Sequence, residues 1–515
     1  EFRRVLFRSF ELLSRGDTLG VFQLEGDGIT AYARQMAPKT IEDIIALGAL
    51  YRPGPMEQIP TYIRRLHGVE EVSYAEFPGA EAKLAPILDD TYGIPVYQEQ
   101  IMQIASEVAG YSLAEADLLR RSMGKKIREE MIKHREIFTR GAGEAGISEE
   151  TARHIFDLLE KFADYGFNRS HAAAYGLISY QTAYLKANYP LEFMAALLTV
   201  EQGNLEKLAE YIASARASGM TVLGPDINLP SSRFEIDDAE NLRFGLSAVQ
   251  GISEELAGCV EDYFKGHPHF ENIEQMLVQA LANPEISRLR NRGVIDNLAR
   301  AGALDSLRPP GQDIKTWRGS LLSSSEALSA LGQKASKAAA RAMSKNSNPL
   351  FEQAMELNTD EVLTPGKLEK LEMLNFEKKA LGIYISGHPL DEAPMLASLA
   401  TDTTLTVPNA AAEATGKWGA KVILAGVIAS VEHKVTKTGK SMAFLVFSDS
   451  SGTLRITCFN RAYEAIREDL VEGVPVALVC SVKDEGEGEL LVSLEDVIDE
   501  AAASRLAPEL HLILN

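Results

Sequence analysis

EETARHIFDLLEKFADYGFNRSHAAAYGLISYQTAYLKANYP, residues 149–190, sets the fold class of the chain's first half. It holds two helical stretches around one break. The first runs from Glu149 to about Tyr165 and stops at Gly166; the second runs from His171 to Asn188, with Ser170 expected as its N-cap and Tyr189-Pro190 as its stop. Upstream, Ser112-Leu113-Ala114-Glu115 reads as a capping box. It opens a helix that Gly124 can close, and Lys125 begins another. Two breaks separate these helices from earlier ones. In Tyr51-Arg52-Pro53-Gly54-Pro55 each proline restricts the residue before it to extended geometry, and Thr91-Tyr92-Gly93-Ile94-Pro95 is the second interruption. Residues 10–225 therefore read as mainly α.

The pattern changes downstream. Short hairpin strands are expected at Arg233–Ile236 and Asn241–Phe244, followed by compact helix pairs around Gly251 and Gly302. Residues 311–347 are dominated by Ser, Ala and Lys and read as an exposed helix running into a flexible linker. KVILAGVIASVEHK (421–434), SMAFLVFSD (441–449), GTLRITCFN (452–460), VPVALVCSVKD (474–484) and GELLVSLEDV (488–497) alternate as strands, with a helical insert at Arg461–Leu470. Five strands with a helix between the third and fourth is the order of an OB-fold barrel. The expectation is a multidomain, mainly α chain followed by a β-barrel. Its segments are 10–225, 226–310, 311–415 and 416–500, with a tail at 501–515. Residues 1–9, EFRRVLFRS, lack both an initiator Met and a signal-peptide core, so they read as an extraneous or truncated start.

Composition bounds the function. The chain of 515 residues is 45% hydrophobic, which excludes collagen and full disorder, and no apolar run approaches the length of a spanning helix. Cys259, Cys458 and Cys480 are too far apart for a zinc spacing and leave an odd thiol, as expected of a reducing cytoplasm. The net charge of -21 argues against a nucleic-acid partner unless basic groups are gathered locally. They are. Residues 120–135 hold Arg120, Arg121, Lys125, Lys126, Arg128, Lys133 and Arg135 against Glu129 and Glu130, a local net of +5. Lys125 and Lys126 face the positive end of the following helix dipole, which is unfavourable unless an anion is present. Helix-start amides with Arg and Lys suit a triphosphate; a solvated helix face with i,i+4 pairs has the same composition. Arg169 and His171 repeat the arrangement at the next helix start, and Tyr175 lies one turn further on the same face, where a flat group could stack or where packing could bury it.

GVFQLEG (20–26), ALYRPGP (49–55), YGIPVYQEQIMQIA (92–105), LLRRSMGKK (118–126), the stretch 155–198 and ALGIYISGHPL (380–390) together resemble the bacterial replicative DNA polymerase III alpha subunits, over about Phe10 to Asp499. That resemblance implies that residues 10–225 are the fingers domain, which delivers a deoxynucleoside triphosphate to a palm domain. Arg120, Arg121, Lys125, Lys126, Arg169 and His171 would touch the triphosphate and Tyr175 would line the site, with Tyr92, Gln98 and Glu99 shaping the pocket. It also implies two-metal phosphoryl transfer with Mg²⁺ held by palm aspartates. The palm and a histidinol-phosphatase-like domain precede the fingers in the family and are not in this sequence. Asp89-Asp90 and Asp237-Asp238 sit at turns and read as solvated surface. This chain alone is thus expected to be inactive, with the metal ligands elsewhere in the intact enzyme.

The second half suits DNA held through its phosphates. Leu246–Ala257 resembles a helix-hairpin-helix, with Gly251, Ile252 and Ser253 presenting backbone amides, although Glu254 and Glu255 weaken its charge and leave a purely structural hairpin open. Val294–Leu307 resembles its partner, with Gly302 at the hairpin and Arg288, Arg290 and Arg292 before it. Leu350-Phe351 sits where the family carries its sliding-clamp peptide, with Ser347 at the usual Gln position; a local hydrophobic staple is the other reading. In the barrel, Phe444, Phe447 and Phe459 with Lys434, Lys437, Lys440, Arg455 and Arg461 suit single-stranded DNA, some of the rings being core. DEGEGE at 484–489 would repel DNA and puts that face near the Lys437 loop. The implied partners are primer-template DNA, single-stranded template, dNTP, the sliding clamp, and other replicase subunits including the clamp loader, with no membrane. An error-prone lesion-bypass paralogue, or a stand-alone non-catalytic DNA-binding protein, would share these features.

Overall fold

The structure, a computed structural model, describes residues 2–124, 128–163, 165–344, 362–404, 406–413, 419–436, 439–486 and 489–505. The chain divides into two compact units, Glu1–Pro190 and Leu191–Asn515.

The first unit is built of ten helices among the described residues: α1 (Phe2–Arg15), α2 (Asp27–Met36), α3 (Ile41–Leu50), α4 (Ile59–Leu66), α5 (Glu81–Leu88), α6 (Gln98–Ala109), α7 (Leu113–Gly124), α8 (Arg128–Glu144), α9 (Glu149–Ala163) and α10 (Arg169–Asn188). Caps explain several boundaries. Thr40 and Asp43 close a capping box on α3, and Ser112 with Glu115 does so on α7, the Ser112 amide donating to Glu115 Oε2 at 2.9 Å. At α10 the N-cap is Asn168 rather than Ser170: Asn168 Oδ1 accepts the His171 amide at 2.9 Å. Ser170 falls inside the first turn and donates to that same oxygen, because Asn168 already holds the extended backbone a cap requires. Helix α1 also runs unbroken across residues 2–9, with Leu12 and Leu13 buried.

Two apolar cores fill this unit. One joins α1–α4 to α10 through Leu13, Met36, Leu47, Tyr62 and Ala183; the other joins α5–α9 through Leu84, Ile104, Phe138, Phe156 and Leu159. A fully buried Leu or Phe contributes about 1.5–3 kcal/mol, so both cores hold their helices firmly. The approach is close where glycine allows it. A Cβ on Gly141 of α8 would lie 2.0 Å from the Ala109 carbonyl oxygen of α6, and one on Gly176 of α10 would lie 2.6 Å from Ile45 of α3.

The second unit opens with α11 (Pro190–Glu201) and α12 (Leu205–Ala217), then a small sheet of β1 (Val222–Leu223), β2 (Glu235–Ile236) and β3 (Leu242–Arg243). The expected hairpin is therefore shorter than its alternation suggested, and β1 adds a parallel strand to it. Next come α13 (Glu254–Phe264), α14 (Ile273–Ala282), α15 (Arg292–Ala301) and α16 (Ile314–Ser344). Helix α16 is not an exposed linker helix at its start. Trp317, Leu321 and Leu328 are buried, and the Trp317 indole donates to the Leu304 carbonyl at 3.0 Å. Its small face receives an extended return segment: the Thr364 and Gly366 amides donate to Ser324 and Ser320, and a Cβ on Gly319 would meet the Gly366 backbone at 2.7 Å. The serines that read as linker composition, together with Gly319, are what this close backbone contact needs.

The chain continues through α17 (Lys370–Leu381), α18 (Pro394–Leu399) and α19 (Val407–Glu413) to the barrel. There β4 (Ala420–Val435), β5 (Ser441–Ser448), β6 (Thr453–Cys458), α20 (Asn460–Ile466), β7 (Pro475–Gly486) and β8 (Glu489–Ile498) close in the order β4-β5-β6-β8-β7. The expected strand order and helix position both appear. Alternation places Ala443, Leu445 and Phe447 inward on β5.

Candidate functional site

The breaks between helices in the first unit converge on the start of α10. The Phe167 amide donates to the Val96 carbonyl at 3.1 Å and the Gln98 amide to the Phe167 carbonyl at 2.8 Å, so the 92–98 loop and the 165–168 loop run together. Gln98 and Glu99, adjacent in the first turn of α6, then join the two basic helix ends. Gln98 Nε2 donates to the Gly166 carbonyl at 2.9 Å, and its Oε1 accepts from Arg120 Nη1 at 3.0 Å. Glu99 accepts from Asn168 Nδ2 at 3.0 Å and from the Arg169 amide at 2.9 Å. Arg120, Gln98, Glu99, Arg169, His171 and Tyr175 thus belong to one cluster. Tyr92 stands behind it with φ of 52°, packed edge-on to Tyr62; burial raises its phenol above the ordinary range.

The sequence reading missed Arg52 and Phe167. Arg52 lies 4.4 Å over the Phe167 ring and donates to the Ala49 and Tyr165 carbonyls at 2.9 and 2.8 Å; burial lowers its pKa. A Cβ on Gly54, at φ of 98°, would lie 2.2 Å from the Tyr165 ring. The Pro-Gly-Pro spacing was the available signal, since glycine between prolines suits a close approach.

The electrostatics favour exchange of partners. Arg120 and Arg121 share the carboxylate of Asp117, each at 2.8 Å, and the hydrogen bond from Arg120 is the main reason Asp117 ionises below its usual range. Arg169 sits 5.4 Å over Tyr97 and 3.7 Å from Asp90. Arg121 is 62% exposed and Arg169 48%. Exposed pairs of this kind contribute about 0–1 kcal/mol, so a polyphosphate offering bidentate acceptors can displace the carboxylates at little cost. His171 and Tyr175 pack with ring centroids 4.3 Å apart, and Tyr175 keeps an exposed face. The helix start itself already has an anion, since Glu99 takes the Arg169 amide. Of the remaining basic run, Arg135 is paired with Asp157 and Glu160, Lys133 is exposed, and Lys125 and Lys126 lie outside the described residues.

In the second unit Gly251 has φ of 78° and Ser253 caps α13, preceded by a single 3-10 turn, Leu246–Ala248, in place of a full helix. Gly302 also has positive φ, and its amide donates within α15. A Cβ there would lie 2.2 Å from Arg318 Nη2, so this hairpin packs on a buried ion group in which Arg318 pairs with Asp305 and Glu377. Arg288 pairs with Glu255, and Arg292 with Glu326 and Asp296. Arg290 donates to the Ala280 carbonyl. On the barrel, Lys434 and Arg455 lie 5.0 and 4.8 Å from the Phe444 ring. Phe447 fills the barrel, whereas Phe459 is exposed, as are Lys440 and Arg461. Lys437, Ser347, Leu350 and Phe351 lie outside the described residues.

The acidic pairs are engaged locally. Asp89 accepts from the Tyr74 hydroxyl, Asp90 faces Arg169, and Asp237 closes its own turn by accepting the Ala239 and Asn241 amides. Among the described residues no group of three or more His, Cys, Asp or Glu side chains fits a metal ion, and no helix is long and apolar enough to cross a membrane.

Comparison with known proteins agrees with this organisation. Residues 8–146 match the bacterial DNA polymerase III alpha subunit finger domain, 219–313 a helix-hairpin-helix motif, and 422–499 an OB-fold nucleic acid binding domain. The chain is 48% identical over 513 residues to the DNA polymerase III subunit alpha of Thermus aquaticus, covering 99% of this chain and 40% of that protein. It is 42% identical to that of Deinococcus radiodurans, covering 99% and 37%, and 38% identical to that of Pasteurella multocida, covering 98% and 42%. The chain thus spans about two fifths of the length of these relatives.

Proposed function

The chain belongs to the bacterial DNA polymerase III alpha subunits, as a portion carrying the finger, helix-hairpin-helix and OB-fold domains, and we propose that it takes part in template-directed DNA synthesis by holding the incoming dNTP and the primer-template. The observation that carries this reading is the bridge made by Gln98 and Glu99, which brings Arg120 and the Arg169 helix start into one cluster. In this reading Arg121 and Arg169 turn from Asp117 and Asp90 to the triphosphate, Lys125 and Lys126 add charge, and Tyr175 offers a stacking face to the base. The described residues do not fit the Mg²⁺ ions of phosphoryl transfer. Those ions are proposed to be held elsewhere in the intact protein, and the chain of residues 1–515 alone to bind without extending a primer.

Duplex DNA is proposed to lie against Gly251–Ser253, Gly302 and the Arg288, Arg290 and Arg292 cluster, and single-stranded template against Phe444, Lys434, Arg455 and Lys440. Leu350-Phe351 is proposed as the sliding-clamp peptide. The test of the nucleotide site is Arg121→Ala in the full-length polymerase. Loss of one charged hydrogen-bonding group is expected to raise the dNTP KM by roughly tenfold or more. A KM equal to wild type removes Arg121 from the site.

A further inference from the structure

A cavity of about 650 Å³ in the second unit lies among α12, α17, the 382–391 loop and the β4–β6 side of the barrel. Its lining combines apolar Leu205, Ile212 and Val222 with basic Arg216, Lys378 and His388, and includes the carboxylates of Asp391 and Asp449. Arg216 is exposed and Lys378 half-buried, and His388 carries a buried nitrogen. His388 Nδ1 accepts the Leu390 amide at 3.1 Å, so in the neutral ring the proton sits on Nε2. That Nε2 is buried and has no hydrogen-bond partner. Lys378 has no carboxylate in ion-pairing range among the described residues and lies 5.1 Å over the Tyr384 ring. Arg216 spends one Nη2 bond on the Tyr384 carbonyl at 3.1 Å.

The nearby carboxylates each hold other donors, and among the described residues none forms an ion pair with Arg216, Lys378 or His388. Asp391 Oδ2 accepts the His388 amide. Asp449 accepts from Thr404, Ser451 and Gly452. Glu377 is held by Arg318 and by the Ile385 and Ser386 amides, and Glu472 accepts the Val431 amide. A buried donor left unsatisfied is destabilising, and His388 Nε2 is such a donor. Desolvation lowers the pKa of all three basic groups, countered in part by Asp391 and Asp449 at His388, by Glu472 at Lys378 and by Glu377 at Arg216. One buried donor without an acceptor, two cationic side chains and apolar lining in one cavity fit a ligand with an anionic, acceptor-rich head and a less polar body.

We propose that this cavity is a phosphate-binding site, in which Arg216, Lys378 and His388 hold the phosphate of a nucleotide or of a nucleic-acid strand and the Leu205–Ile212–Val222 wall takes the attached body. Nothing in this site depends on the nucleotide function proposed for the first unit. The test is calorimetric titration of the full 515-residue chain with sodium pyrophosphate, AMP and an oligothymidylate, in wild type and in Lys378→Met, Arg216→Gln and Lys378→Arg. The expected result is saturable binding that weakens about tenfold or more in Lys378→Met and Arg216→Gln and is largely kept in Lys378→Arg. Binding of pyrophosphate and AMP identifies a free ligand as the source; binding of the oligothymidylate alone identifies a backbone phosphate. Lys378→Met is also expected to melt no lower than wild type without ligand, because it removes a half-buried charge with no ion-pair partner among the described residues. Binding equal to wild type in both neutral variants, or no saturable binding of any probe, overturns the proposal.

Discussion

Glu99 is the residue on which the helix start of α10 turns. Its carboxylate accepts the Arg169 amide and the Asn168 side chain, so it occupies the place where a helix N-terminus would otherwise take an anion. Glu99→Gln keeps an acceptor oxygen and removes the charge. It is expected to tighten dNTP binding several-fold in equilibrium dialysis; weaker binding would mean that the carboxylate itself positions the nucleotide. A second prediction at this scale concerns Arg318, whose side chain is 7% exposed between Asp305 and Glu377. Arg318→Met strands the Glu377 carboxylate in the interior and is expected to lower stability by about 3–5 kcal/mol, read from the urea midpoint. An unchanged midpoint would mean that Glu377 is adequately held by the Ile385 and Ser386 amides alone. Arg120, Arg169 and His171 were legible as candidates because basic side chains at helix ends are chemically conspicuous, and the structure brings them into one cluster. Arg52 and Phe167 were not, since their partnership depends on two loops separated by more than a hundred positions in the chain.

At the scale of elements, glycine sets how closely the helices approach. Gly141 lets α8 lie against the backbone of α6, so Gly141→Ala must drive the two apart and is expected to cost about 1–3 kcal/mol. Urea unfolding of the variant checks this, and a wild-type midpoint would show that α8 shifts freely. The same scale shows where reading the sequence succeeds. Strand-like alternation and one helical insert identified the barrel, because strand alternation reports directly which side faces the core. It failed at α16, where Ser, Ala and Lys signalled exposure although the start of the helix is buried. Small residues carry little hydropathy, and only the returning 364–368 segment reveals what they pack against. The N-cap of α10 differed for a subtler reason: Asn168 and Ser170 are both competent caps, and the backbone geometry at Asn168 decided between them.

For the molecule as a whole, a net charge of -21 coexists with nucleic-acid binding domains. Many of the basic groups are paired internally, as Arg135, Arg288 and Arg292 are. In the proposed reading, DNA phosphates are met at few points, by arginines that exchange carboxylate partners. Replacing Arg288 and Arg292 together by Ala is expected to reduce the slope of log affinity against log salt by about 0.9 for each phosphate left without its arginine, measured by fluorescence anisotropy on a primer-template. An unchanged slope would place the DNA elsewhere. The helices also bear on how the gene can be divided. Residues 311–347 look like the natural place to cut, yet a boundary there would take Trp317 and the serine face away from the segment that rests on them. Pieces divided at that point would be expected to aggregate, whereas a division that leaves residues 292–381 intact keeps the indole, the buried ion group and the returning segment in one piece.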